Sequence, residues 1–320
     1  MASLTAASAG QPQSASLPIL ARKQRSLWGD ARYRLFRNRA AMAGLAVIAV
    51  AALLAVLAPL VAPHDPYVLD TPNALMEPMW TGSKFTLDTY PLGSDQLGRD
   101  ILSRLIYSAR ISLIIGFVPV TLIFLVGATV GMTAGFYGKW VDTLLMRIVD
   151  IIYAFPDLLF LIIIMATLRG TFLGELLGGL VLMFVAIAVV GWVGMARLVR
   201  GQVLSLKEKE FVEAARAMGA TNARIMFRHL LPNTLAPIIV SIAFGVPSAI
   251  LAEATLSFLG IGIKPPTPTW GVMINEGFVV FSATPWPVLL PAFCISLVML
   301  AFTFVGDGLR DALDPRQRAS

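Results

Sequence analysis

The chain has 320 residues, 57% of them hydrophobic and 14% charged, with 25 Lys and Arg against 19 Asp and Glu. Soluble domains carry roughly 45–50% apolar and about 25% charged residues, so this surplus, with a mean hydropathy of +0.77, excludes an ordinary soluble enzyme and requires contact with lipid. The single cysteine, Cys294, rules out an internal disulfide and a Cys/His zinc box, and the net charge of +6 is read against a membrane surface rather than against nucleic acid.

Residues 1–27 open the chain as a tail whose first twenty positions are rich in Ala, Ser, Gln and Pro, too poor in apolar content to fold, and a disordered cytoplasmic tail is expected. Over 28–39, Trp28, Tyr33, Leu35 and Phe36 alternate with Asp30, Arg32, Arg34, Arg37 and Arg39, which predicts a short interfacial helix on an anionic leaflet. A first uncharged span follows over 40–61. Its length exceeds the about 7–15 residues of a signal-peptide core, so it is expected to be a retained anchor.

The segment 62–110 begins with Pro63, Pro66, Pro72, Pro78 and Pro91, which no single regular element accommodates. Towards its end Leu97, Ile101, Leu102, Leu105 and Ile106 recur at helical spacing. This predicts an amphipathic helix lying on the outer face, with Asp100 and Arg104 paired at i,i+4 on its wet side.

Five further apolar runs reach membrane-spanning length: 111–136, 148–168, 176–196, 235–256 and 288–305. The second span of the six holds Gly127, Gly131 and Gly135, a spacing that admits another helix at close range. The third carries Asp150, placed to pair with Arg147, and Asp157 after Pro156; the fifth carries Glu253. With both termini cytoplasmic, 19 of the 25 Lys and Arg fall on the inner side, as the positive-inside bias requires. His64 and His229 stand apart from other potential ligands in the sequence, and no metal site is expected.

Between Arg197 and Asn233 lies the longest inner polar excursion. Ser205 and Glu208 have capping-box spacing and predict a helix starting near Leu206, with Phe211, Ala214, Ala215 and Met218 as its apolar stripe. Gly219 tolerates a left-handed helix end, Thr221 can cap a second helix, and Pro232 introduces the next span. A helix-turn-helix knob exposing Glu213 suits docking into a groove on another protein; without a supporting third helix it does not suit DNA reading.

Glu213-Ala214-Ala215, Gly219 and Leu231-Pro232 fall at the spacing of the EAA loop, EAA-x3-G-x9-I-x-LP. The loop resembles that of permease subunits of bacterial ATP-binding-cassette importers, with His229 standing where the general pattern has Ile. Three further blocks resemble the C-type permease subunit of the peptide/nickel importer family, notably its oligopeptide and dipeptide members. They are PLGSDQLGRD over 91–100, LSFLG over 256–260 with Pro265-Pro266 and Trp270-Gly271, and GDGLRDALDP over 306–315.

The resemblance implies an all-α integral membrane protein of six transmembrane helices with the type I importer permease fold. A core over 111–308 would contain the coupling loop 201–233, and 309–320 would form a cytoplasmic C-terminus. It implies a bacterial inner-membrane subunit with four partner chains: a second homologous permease forming a heterodimer, two ATPases, and an extracytoplasmic substrate-binding protein. ATP and magnesium would sit on the ATPases. In agreement, no GxxxxGK[ST] phosphate loop can be written here, the nearest Gly-Lys being Gly138-Lys139 before Trp140. The expected function is ATP-driven import of oligo- or dipeptides, with Glu213, Ala214, Ala215, Gly219, Leu231 and Pro232 transmitting the ATPase motion. A substrate path between the two permeases would be lined from this chain by the third to fifth spans, with the Lys264–Trp270 turn closing the outer mouth.

Two rivals from other classes stay open on the residues. A self-contained proton-coupled carrier would work through Asp150, Asp157 and Glu253, and a non-transporting scaffold would recruit proteins through the knob. The same permease carrying nickel chelates or opines is a further alternative.

Overall fold

A computed structural model describes residues 27–81 and 90–314, and the expected tail lies outside the described residues up to its last position. Among the described residues the regular structure is helical, with one isolated β-bridge between Ser94 and Asp100. The short α1 (Leu27–Arg37) is separated from α2 (Arg39–Val56) by Asn38, whose side chain accepts from the Ala41 N–H (3.1 Å) and caps α2. A single turn, α3 (Ala58–Val61), ends the first crossing.

The second crossing corrects the expectation of a separate surface helix. One 37-residue helix, α4 (Ile101–Tyr137), carries both segments; at about 1.5 Å per residue it reaches about 55 Å, well beyond a hydrocarbon core of about 30 Å. Asp100 is its cap, accepting from the Leu102 and Ser103 N–H groups, and does not pair with Arg104. The first three turns of α4 are not a wet surface either, because the 62–100 segment and later elements bury Ile101, Arg104, Leu105 and Ile106.

The third span starts earlier than expected and is broken. α5 (Lys139–Tyr153) and α6 (Asp157–Leu168) meet at 82° around Ala154-Phe155-Pro156, since Pro156 has no N–H to continue the helix and biases its predecessor away from helical backbone. After α7 (Phe172–Glu175), a kink with left-handed backbone at Leu177, Gly178 and Gly179 leads into α8 (Leu180–Leu206), which continues ten residues past its expected end. α9 (Glu210–Ala217) and α10 (Asn222–Arg224) form the following loop. α11 (Leu231–Phe258), α12 (Trp270–Phe278) and α13 (Trp286–Leu313) complete the chain.

Five helices or helix runs are long and apolar enough to cross a membrane, and the bent α5–α6 pair makes a sixth when its two helices are taken as one span. Alternating directions bring α1, the 207–230 loop and the end of α13 to one end, here the loop end. The 62–100 segment, the 260–270 turn and α12 close the other, the capped end.

The most extensive helix contact joins α4 to α8. Gly127, Gly131 and Gly135 lie against Met195, Ala196 with Val199, and Val203 in rising order, so the two helices run parallel. A Cβ at Gly131 would lie 2.3 Å from the Ala196 carbonyl oxygen. The glycine row therefore serves an approach within this subunit, where each missing side chain lets one backbone meet another. Beneath the capped end, Ile115, Met183, Ile250 and Trp270 belong to one buried cluster; Val199, Val203, Ile225 and Leu230 belong to a second at the loop end.

Candidate functional site

The loop-end knob is built from α9, a tight turn and a widened turn. α9 begins at Glu210 rather than near Leu206, because Val199 and Val203 are buried and keep α8 helical through the positions expected to cap the new helix. Ser205 lies in the last turn of α8 and Glu208 in the turn after it, so the capping box does not form. Glu210 and Glu213 occupy the first turn of α9, where the helix dipole favours acids.

Val212 and Ala215 face inward, in one cluster with Val199, Val203, Ile225 and Leu230. Of the expected stripe only Ala215 packs on the bundle; Phe211 and Ala214 are exposed, as is Glu213, and Met218 is 80% exposed. α9 ends in a Schellman motif. Gly219 donates to the Arg216 carbonyl and Ala220 to the Ala215 carbonyl, both at 3.0 Å. The Gly219 φ of +78° with open space around it explains the glycine by backbone alone.

Thr221 caps the next turn, its hydroxyl accepting from the Arg224 N–H at 3.3 Å. The second helix of the expected hairpin is only three residues long. It passes into a π-helical turn, Ile225–Leu230, and directly into α11, of which Leu231 and Pro232 are the first two residues. Pro232 offers no N–H to the carbonyl four residues back, which accounts for the widening there, and the Asn233 amide donates to the His229 carbonyl at 2.6 Å. His229 is half-buried, and the fully buried Leu230 beside it supplies the aliphatic anchor.

Two ion pairs tie α5 to α8 near this knob. Arg200 holds both carboxylate oxygens of Asp142, at 2.5 and 2.6 Å. Arg197 binds Asp150 at 2.7 Å and lies over the Tyr153 ring, 4.1 Å from its centre. Asp150 is thus partnered across helices by Arg197 rather than by Arg147 on its own helix. Val149 is the one fully buried position on α5, whose outer face exposes Trp140, Leu144, Ile148 and Ile151.

At the capped end the 91–100 block forms a compact turn. Gly93 and Gly98 have φ of +81° and +74°, and added Cβ atoms would strike the carbonyl oxygens of Met76 and Asp70. Asp95 Oδ1 accepts from the N–H groups of Leu97 and Arg99. Its Oδ2 binds Arg99 Nε at 2.7 Å and also meets Arg104. Both arginines reach Glu276 on α12, at 2.8 and 2.7 Å. Two cations and two anions therefore close a buried network, and Glu276 has no sequence signal because its partners lie over 170 residues away.

Nearby, the Tyr90 hydroxyl donates to Asp70 at 2.7 Å. Burial and that hydrogen bond push the phenol up to about 12, while hydrogen bonds from Asn73 and Tyr90 hold Asp70 below the usual carboxylate range. The 264–270 turn is fixed by Trp270, whose indole donates to the Leu105 carbonyl (3.3 Å), and by Lys264 paired with Glu175 (2.6 Å).

The three acids of a self-contained carrier are not brought together. Asp150 lies on α5 with Arg197, Asp157 is exposed in the first turn of α6, and Glu253 is buried on α11, accepting from Ser257 and Thr269 at 2.7 Å each. No hydrogen bond or ion pair joins any two of them among the described residues.

Residues 127–319 match the family described as binding-protein-dependent transport system inner membrane component, and residues 26–78 match the N-terminal TM domain of oligopeptide transport permease C. The dipeptide transport system permease protein DppC of Alkalihalophilus pseudofirmus is 42% identical over 92% of this chain and 91% of its own length. The oligopeptide transport system permease proteins OppC of Bacillus subtilis and Escherichia coli K12 are 40% and 41% identical, covering 93% and 92% of this chain and 93% of their own lengths. A subunit of the MetNI methionine ABC transporter, solved in inward facing conformations, matches 66% of this chain and 96% of its own at a TM-score of 0.49 and 20% identity. With a family model across more than half its length and full-length relatives above 30% identity, this chain belongs to the binding-protein-dependent transport system inner membrane components, and carries the N-terminal domain of their oligopeptide permease C branch.

Proposed function

We propose that this chain is the C-type permease subunit of an ATP-binding-cassette importer that moves oligo- or dipeptides into a bacterial cytoplasm. One observation carries the coupling role: α9 is clamped to the bundle through Val212 and Ala215 while Phe211, Glu213, Ala214 and Met218 are left outward. An apolar methionine and phenylalanine beside an acid, on a helix fixed from behind, suit a groove on a partner.

In this reading the loop end and both termini are cytoplasmic, and one of two ATPases holds α9. A second homologous permease pairs with this chain, a binding protein delivers cargo to the capped end, and ATP with magnesium stays on the ATPases. Closure of the ATPase pair would push α9, and α8 and α11 would rock between inward-open and outward-open arrangements. Peptide cargo is supported by the names of the full-length relatives, DppC and OppC.

The test uses the intact complex in membranes, assayed for uptake of labelled di- and oligopeptides and for co-purification of the ATPases. Glu213→Lys is expected to abolish uptake and ATPase recovery while the permease still inserts; Gly219→Pro, which clashes with the left-handed turn, should do the same. Normal uptake in both variants would refute coupling through α9. Uptake of nickel chelates or opines with no peptide uptake would refute the cargo alone.

A further inference from the structure

The surface between α2, α4 and α13 holds a cavity of about 460 Å³. Among its walls are Ala46, Val50 and Leu54 of α2, Ile106 and Ala109 of α4, and Leu297 of α13. The lining consists of Ala, Val, Leu, Ile, Trp and Cys side chains. The Trp270 indole N–H already donates to the Leu105 carbonyl.

The origin of the cavity is the way α2 is attached. It is pinned near its start by Ala41 and Gly44, where a Cβ on Gly44 would come within 2.5 Å of the Ala301 carbonyl oxygen, and near the far end by Ala55 and then Ala58 of α3. Between those contacts, residues 45–54 contain no fully buried position, although Ile48 and Ala51 pack part-buried against the core. The helix therefore bridges the cavity like a strap. Val50 and Leu297 line the opening and are themselves exposed, continuous with the outward face of Leu53 and Val56. On a membrane-spanning helix of this hydropathy such a face is apolar enough to border hydrocarbon.

We infer that the strap encloses one acyl chain of a phospholipid, taken from the leaflet at the capped end. Its depth fits, because the lining includes the first turns of α4, Leu92 and Trp270, all at that end. Its length fits, because residues 46 to 54 rise about 12 Å, close to the about 15 Å of one leaflet's hydrocarbon.

A peptide in transit is excluded by chemistry, since its amides would find no partner on such walls. Association here comes from close packing rather than from expulsion of water, because bulk lipid is equally apolar. A chain held against fixed walls on three helices keeps dispersion contacts that an empty cavity forfeits.

The experiment uses the assembled complex, extracted in mild detergent without added lipid. Native mass spectrometry is expected to show one phospholipid retained on the permease. Ala46→Phe, at an exposed position where the ring can enter the cavity without disturbing the core, is expected to lose it. In parallel, p-benzoylphenylalanine replacing Val50 in otherwise unchanged membranes should crosslink to phospholipid on irradiation. A crosslink to a polypeptide, from the second permease or any other chain, would overturn the inference, as would a phospholipid adduct undiminished in Ala46→Phe. Neither readout depends on the cargo or on coupling through α9.

Discussion

The buried network at the capped end gives a prediction whose sign is specific to charge balance. Asp95, Arg99, Arg104 and Glu276 have side chains between 2% and 15% exposed, so each ion has given up most of its hydration. Glu276→Ala leaves two arginines facing one carboxylate, and Arg104→Met leaves two carboxylates facing one arginine. Removing one member of a buried pair destabilises by about 3–5 kcal/mol, because the survivor stays buried without compensation. Replacing both by apolar residues of similar size removes the imbalance together with the attraction, and the remaining Asp95–Arg99 pair at 2.7 Å is neutral. The double variant Arg104→Met/Glu276→Leu is thus expected to be more stable than either single variant. For a chain of this size about 1 kcal/mol corresponds to roughly 2 °C in Tm, so each single variant should melt about 6–10 °C below the parent, read by tryptophan fluorescence of the purified complex. Single variants within about 2 °C of the parent, or a double variant as damaged as the sum of the singles, would refute this account.

Two further perturbations address the loop end. Gly131→Leu places a side chain where a Cβ alone meets the Ala196 carbonyl at 2.3 Å, and overpacking against backbone is expected to destabilise by about 1–3 kcal/mol or more, with a lower Tm and reduced membrane yield; unchanged Tm would mean that α4 and α8 are not in contact there. At the α5–α8 junction, Arg200→Asp faces Asp142 with a like charge and should reduce transport, and the exchange Arg200→Asp/Asp142→Arg should restore part of it; a double variant no better than the single would show that the bidentate pair is not what holds α5.

Long-range order decides which parts of this architecture are legible in the sequence. Six crossings follow from composition alone, because an apolar run of bilayer length with few charges is more stable in hydrocarbon than in water, and the glycine spacing in 127–135 points to its own packing. The Asp95 network is invisible because Glu276 looks like any helix acid until α12 folds back over α4. The split of the α9 stripe has a different cause. Ala215 lies one turn after Phe211 on the same face, yet it is buried with Val212 while Phe211 and Met218 stay exposed, and periodicity cannot say which apolar residues meet the chain's own bundle. The lost capping box shows tertiary packing overriding a local signal: burial of Val199 and Val203 keeps α8 going past the point where a local cap would start a new helix.

The geometry behind the knob bears on how a push on α9 would travel. Val212 and Ala215 cluster with Val199 and Val203 of α8 and with Ile225 and Leu230 of the turn that becomes α11, so a displacement of α9 is delivered to two crossings at once. α8 is unbroken from Leu180 to Leu206, and through Gly127, Gly131 and Gly135 it has little freedom to slide on α4. A rigid unit of α4, α8 and α11 would therefore move as one body. By contrast, the α5–α6 crossing is bent at Pro156 and joins α8 at the loop end through Arg197 and Arg200, with Val149 its one buried position there. Packed methylenes resist shear, whereas two ion pairs on long side chains tolerate rotation about their joint. α6 itself buries Leu161 and Met165 in the core beneath the capped end, so the joint at Pro156 would leave α5, rather than the whole crossing, as the part able to change its angle to the rigid unit.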